Sequence, residues 1–384
     1  MPAWLVVVLY VVAILSIVLI HEAGHFVTAK AFGIKVEQFF VGFGPRIWSV
    51  RRGETEYGLK ALPLGGYVRI AGMNPFEETP EEDVPRAFGS KPVWQRAAVI
   101  GAGPITHFLM AIVLLAVFFA FIGVPSMFRP VVDGITTKLN GRVSPAVVAG
   151  VRPGDQILAV GGKPIPASRD PNLASEPFIR YTRAHVGQPI SITVLRGGRT
   201  LTLTATPVLS KVGNKTYGRI GVDVGLQTVG RERTDPLTAI GRGGVQTWEY
   251  TKAVLGQLGD VFGPAGLKRI GELLVGSQQR STRDVGSVVA GGRLVVQAAR
   301  AQAWDALLGI LVGFNVFIGI LNLVPLPPLD GGHLAVLAYE KIRRRRPDAR
   351  KLVPLTALVA GFMILFAISV TYLDIVRPLP NPFR

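Results

Sequence analysis

The residues best suited to chemistry are His21-Glu22-Ala23-Gly24-His25, an H-E-x-x-H run. On a helix, His21 and His25 lie one turn apart on one face and can share a metal ion, while Glu22 projects beside it to activate water. The run sits inside a stretch apolar enough to cross a bilayer. One ionisable side chain at the centre of such a helix costs on the order of 2.5–3.5 kcal/mol, so three within a single turn need a partner or a polar cavity. A bound cation meets that need. The bland alternative, groups snorkelling at the inner end of a span, predicts Lys or Arg rather than two histidines in register. With no cysteine in the chain, a transition metal must be held by nitrogen and oxygen. A catalytic zinc keeps three protein ligands and an open position. The best third ligand is Asp330, in Asn322-Leu-Val-Pro-Leu-Pro-Pro-Leu-Asp-Gly-Gly-His333, at the inner end of another apolar stretch. Its three prolines break the helix, and broken backbone at membrane depth is tolerated where it lines a protein-buried cavity. His333 competes on spacing alone, but two glycines and a new helix start intervene, and a carboxylate more often completes a His₂ set.

The elements that must position these groups follow from composition. A hydrophobic share of 49% with 17% charged residues is too apolar for an ordinary soluble enzyme. The net charge of +17 could mean a nucleic-acid partner, but the basic residues largely flank apolar spans instead of clustering on a soluble module, which makes that reading distant. Four stretches, 4–30, 93–124, 304–324 and 352–373, approach or exceed the ~20 residues a bilayer requires. The first lacks a basic n-region and a small-residue cleavage site, so it reads as a span and not a signal peptide. Lys30, Lys35, Arg46, Arg51, Arg52 and Lys60 follow the first span, and Lys341 with Arg343 to Arg346 follows the third. Both basic loops therefore face the cytoplasm and both termini face outward.

Between the first two spans, Val36 to Phe43 and Glu56 to Ile70 show broken alternation around Arg51-Arg52-Gly53, the signature of a β-hairpin or small sheet. The long polar insertion at 130–303 starts as a globular module and turns helix-like from about Pro236 to Val275. The expected fold is an α-helical polytopic membrane protein of four transmembrane helices, with an inserted α+β domain and a membrane-associated β-hairpin region. Its expected segments are helix 1 at 1–32, the β region at 33–92, helix 2 at 93–125, the inserted domain at 130–210, a helical linker at 211–303, helix 3 with the Leu-Asp-Gly turn at 304–333, a basic loop at 334–351, and helix 4 with the tail at 352–384.

Four stretches in this order, His21 to His25, Pro63 to Ile70 (PLGGYVRI), Lys91 to Pro104 (KPVWQRAAVIGAGP) and Asn322 to His333 (NLVPLPPLDGGH), resemble the site-2 protease family of bacterial regulated-intramembrane-proteolysis enzymes, of the RseP type. The resemblance covers most of the chain and thins from about 230 to 303. It implies a Zn²⁺ held by His21, His25 and Asp330, with Glu22 as general base. It implies too that Asn322 binds the substrate backbone or stabilises developing negative charge, and that the hairpin is a membrane-reentrant loop guiding unwound substrate. His107 stands where the family usually has asparagine; it could donate the same hydrogen bond, titrate or simply pack. Residues 141–165 and the hairpin around Arg196-Gly197-Gly198-Arg199 resemble a bacterial PDZ domain, which takes an extended peptide or chain end as an added strand.

The activity so implied is hydrolysis of peptide bonds within or near transmembrane segments of single-span membrane proteins, such as anti-sigma factors that hold a transcriptional regulator. The implied place is the bacterial cytoplasmic (inner) membrane, with the PDZ module outside and the active site near the cytoplasmic side. Partners are those substrates, a peptide at the PDZ module and the lipid bilayer. Two competitors are weaker. A metal transporter usually shows matching broken helices in two halves, which this chain lacks. An inactive PDZ-containing binding protein has no use for Glu22.

Overall fold

The computed structural model describes residues 2–74, 76–212, 215–282 and 284–383; Met1 and Arg384, the outer limits of the expected first and last segments, lie outside the described residues. Among these, four helices are long and apolar enough to cross a membrane: Ala3–Ala31, Val93–Ile122, Trp304–Asn322 and Ala349–Val376. Their runs of Leu, Val, Ile, Ala and Phe need the helix, because hydrocarbon offers no partner for a free N–H or C=O. Two compact units result, one of 1–116 with 240–384 and one of 117–239.

In the first unit, the leading helix stops at Ala31, and Gly33 at φ +66° turns the chain into a strand, Val36–Arg52. This strand pairs antiparallel with Thr55–Ile70 across a turn at Gly53, φ +62°. Both strands bend midway. Phe39 is thereby flanked by Val68 on one side and Tyr57 on the other, while Trp48 pairs with Leu59. The ribbon is thus folded over into four short antiparallel segments, which hides its alternation from a period-2 reading. Ala29, Ile34, Val36, Ile70, Phe88, Val99, Ile100 and Leu337 form one buried cluster. It joins the end of the first span, the base of the ribbon, the second span and the helix Asp330–Arg343.

Residues 304–333 hold one helix and the start of another, parted where the prolines stand. The third span ends at Asn322, and Asp330 opens the next helix, Asp330–Arg343, with Pro325, Pro327 and Pro328 in the turn between. A Cβ at Gly331 would lie 2.3 Å from the carbonyl oxygens of Leu323 and Val324, and one at Gly332 only 2.4 Å from the Pro327 nitrogen. The glycines let the proline turn pack directly on the helix start. Arg96 of the second span then clamps Glu340 with two bonds of 2.9 and 2.7 Å, both side chains largely buried. That bidentate pair fixes the helix that carries Asp330 against the second span.

The second unit is built on a sheet with the strand order Val222–Glu232, Val124–Ile135, Gln156–Val160, Ile190–Arg196 and Arg199–Ala205, with Lys163–Pro164 paired beside Gln156–Val160. Val132, Ile157, Val160, Phe178, Ile190, Ile192 and Val194 lie in its core. Its limits differ from the expected 130–210. The sheet opens at Val124, and its outermost strand, Val222–Glu232, falls in the region expected to be helical linker. Gly225 and Gly230 interrupt that strand's alternation, and its partner is distant in sequence, so local pattern does not reveal it. Helices resume at Pro236–Phe262, Pro264–Val275 and Val288–Arg300.

Candidate metal centre

His21 and His25 are buried on one face of the first helix, with their Nε2 atoms 3.2 Å apart. The Nδ1 of His25 is 2.8 Å from the Val99 carbonyl oxygen. A carbonyl only accepts, so Nδ1 carries the hydrogen and Nε2 keeps a lone pair turned inward. From the proline turn, Asp330 brings its Oδ2 to 3.2 Å from His21 Nε2 and 3.4 Å from His25 Nε2. These three ligand atoms lie within 4.8 Å of one another. The Oδ2 of Asp330 is buried and has no hydrogen-bond partner. Acceptors converging in a largely buried site are costly unless something positive joins them, and two imidazoles with one carboxylate form a donor set suited to Zn²⁺. The residues present fit the metal.

Two glycines let other backbone approach this cluster. A Cβ on Gly103 would fall 2.2 Å from His25 Nε2 and 2.8 Å from His21 Cε1, so the second span crosses the histidines as bare backbone. A Cβ on Gly66, in the strand Thr55–Ile70, would fall 2.3 Å from Glu22 Cγ. Glu22 therefore stands between the histidine pair of its own helix and an extended strand, which is where a proton acceptor for chemistry on an extended peptide is useful.

The remaining candidates occupy different places. His107 is completely buried, with Nε2 3.1 Å from His21 Nδ1 and Nδ1 2.8 Å from Asn315 Oδ1. It stands behind His21, on the side away from the ligand atoms. Asn322 is half-buried at the last residue of the third-span helix. His333 is exposed and stays outside the His21, His25 and Asp330 group. Sequence reasoning overlooked Asn315 and Gly103. For Asn315 the available signal was an asparagine in the middle of Trp304–Asn322, since polar groups at membrane depth mark packing or function.

Residues 9–368 match the family described as Peptidase family M50. The chain is 34% identical to zinc metalloprotease Rip1 of Mycolicibacterium smegmatis, over 97% of its own length and 98% of that protein. It is likewise 34% identical to zinc metalloprotease Rip1 of Mycobacterium tuberculosis, over 97% and 98%. To metalloprotease MmpA of Caulobacter vibrioides it is 32% identical, over 96% of each chain.

Proposed function

The chain belongs to peptidase family M50, and on that premise we propose that it is an intramembrane zinc metalloprotease, cutting peptide bonds within or beside the transmembrane segments of membrane-protein substrates. The observation that carries this reading is the convergence of His21, His25 and the unpaired Asp330 oxygen beside Glu22, at the meeting of three apolar helices and an extended strand. His21, His25 and Asp330 would hold the ion. When bound, zinc supplies Lewis-acid polarisation of the scissile carbonyl and lowers the pKa of water toward about 7. Glu22 accepts the proton of the attacking water and later delivers it to the leaving nitrogen. Asn322 is the residue we assign to the substrate backbone or to the developing negative charge.

A substrate helix must unwind first, because its carbonyls are occupied by i to i+4 bonds. The segment around Gly66, beside Glu22, is an edge of the folded ribbon and can hold an unwound chain by strand addition. The test is direct. Purified full-length protein in detergent cleaves a single-span substrate whose span contains helix-breaking residues. Stripping zinc stops the reaction, and stoichiometric zinc restores it; cleavage at an unchanged rate by metal-free protein would overturn the reading.

Orientation and the inserted module complete the proposal. The basic loops after the first and third spans support a cytoplasmic-side active site in a bacterial inner membrane, with the unit at 117–239 outside. Since the chain has no cysteine, an introduced thiol is the only one to label. A cysteine at Lys163 reacts with an impermeant reagent in intact cells, and one at Arg344 only after the membrane is opened. Labelling of both in intact cells contradicts the orientation. The module we read as a PDZ domain, with an extended peptide or chain end of a substrate such as an anti-sigma factor as its ligand. Titration of the full chain with free-carboxylate and amidated peptides that finds no binding removes this part of the reading. The cell biology that follows is regulated intramembrane proteolysis, in which the cut frees a tethered regulator.

A further inference from the structure

We infer that His107 and Asn315 are positioning residues that hold His21 in the tautomer and ring orientation a metal ligand needs. The inference rests on the reading of His21, His25 and Asp330 as the metal site. It begins at one backbone carbonyl. Asn315 Nδ2 donates to the His107 carbonyl oxygen at 2.6 Å, and that oxygen can only accept. The amide is thereby oriented, and its Oδ1 faces His107 Nδ1 at 2.8 Å. An amide oxygen only accepts, so His107 Nδ1 carries the hydrogen. In the neutral ring Nε2 is then an acceptor, and it faces His21 Nδ1 at 3.1 Å. His21 Nδ1 must supply the hydrogen of that bond. Its Nε2 is left with a lone pair, directed at Asp330 Oδ2 3.2 Å away and at the ligand cluster.

His107 and Asn315 are both fully buried, so no water competes for these bonds. The carbonyl of Val99 performs the same service for His25 through a single bond. One ligand is thus oriented by backbone of the second span, and the other by two side chains from the second and third. Gly319 belongs to this arrangement: its Cβ would lie 2.8 Å from the His107 Cβ, so the third span can come close enough for Asn315 to reach. Partners of this kind set ligand basicity and ring angle, and losing one typically costs 10–100-fold in metal affinity.

The test uses full-length protein in detergent, stripped of metal and titrated with cobalt(II), whose visible absorption reports ligand geometry; zinc affinity follows by competition. His107→Leu and Asn315→Leu each weaken metal binding by about 10–100-fold and alter the cobalt spectrum. The informative pair is His107→Gln and His107→Asn. Glutamine places its amide oxygen near the position of Nε2 and can accept from His21, whereas asparagine reaches only the position of Nδ1. Gln therefore recovers most of the affinity and the wild-type spectrum, and Asn does not. Both variants keep a polar side chain, so they carry the test if the leucine variants fail to fold.

Three results overturn the inference: wild-type affinity and spectrum in His107→Leu, equal retention in the Gln and Asn variants, or equal losses in Gln and Leu tracking a fall in melting temperature. Asp330→Ala separates the two levels. If it binds cobalt as tightly as wild type, the metal-site reading itself is wrong; if it loses cobalt while His107→Leu keeps it, only the positioning role is lost.

Discussion

Glu22→Gln keeps stoichiometric zinc and loses cleavage by about 10²–10⁴-fold, the usual contribution of a positioned general base. The reason is chemical and local. An amide has the shape of a carboxylate but cannot take a proton from water, and the three candidate ligands, His21, His25 and Asp330, are untouched by the change. Asp330→Ala behaves differently, losing metal and cleavage together, because its Oδ2 is the only carboxylate oxygen in the ligand group. Metal analysis and cleavage of a single-span substrate, run on the same preparations, separate base from ligand. Wild-type cleavage by Glu22→Gln would falsify the assignment of the base. Loss of zinc in Glu22→Gln would instead make Glu22 part of the ligand set.

What could be read from residues alone was the chemistry carried by short-range spacing. His21, Glu22 and His25 are tied by a helical turn, and their cost in an apolar span announces a purpose. Asp330 was legible for a different reason: three prolines and a carboxylate at the end of a span make little sense unless they line a polar site. The groups that escaped notice depend on long-range contact. Asn315 acts through His107, 208 positions away, and neither residue carries a spacing that would link them.

The second unit shows the same division. Its core strand Gln156–Val160 and hairpin Ile190–Ala205 follow local alternation and turn chemistry, whereas Val222–Glu232 is a strand because Val124–Ile135 offers it an edge. Where the chain's local preference and its tertiary partner disagree, the partner decides. The folded ribbon at 36–70 is the intermediate case: its strands were visible, but not the bends that bring Gly66 against Glu22.

Gly103→Ala is expected to reduce zinc affinity more than tenfold and to abolish cleavage, although it adds a single methyl group to an apolar helix. In an exposed helix the same change would stabilise by up to about 1 kcal/mol. Here the added carbon would stand 2.2 Å from His25 Nε2, 2.5 Å from His25 Cε1 and 2.8 Å from His21 Cε1. Neither ring is a flexible end that can swing aside at small cost. His25 is tethered to the Val99 carbonyl, and Val99 lies one turn before Gly103 on the very helix that would carry the methyl group. Relief must come from separating the first and second spans or rotating the imidazole. Separation is opposed by the buried cluster around Ala29, Val99 and Ile100, and rotation takes Nε2 away from Asp330.

Gly101→Ala is the control. A Cβ there meets nothing within 4 Å outside its own helix, so that variant keeps its zinc and its activity. Zinc content after dialysis against a graded chelator, with cleavage measured alongside, distinguishes the two glycines. If Gly103→Ala retains metal and rate as Gly101→Ala does, the second span is not packed on the histidines as closely as these distances require, and Gly103 has no part in shaping the site.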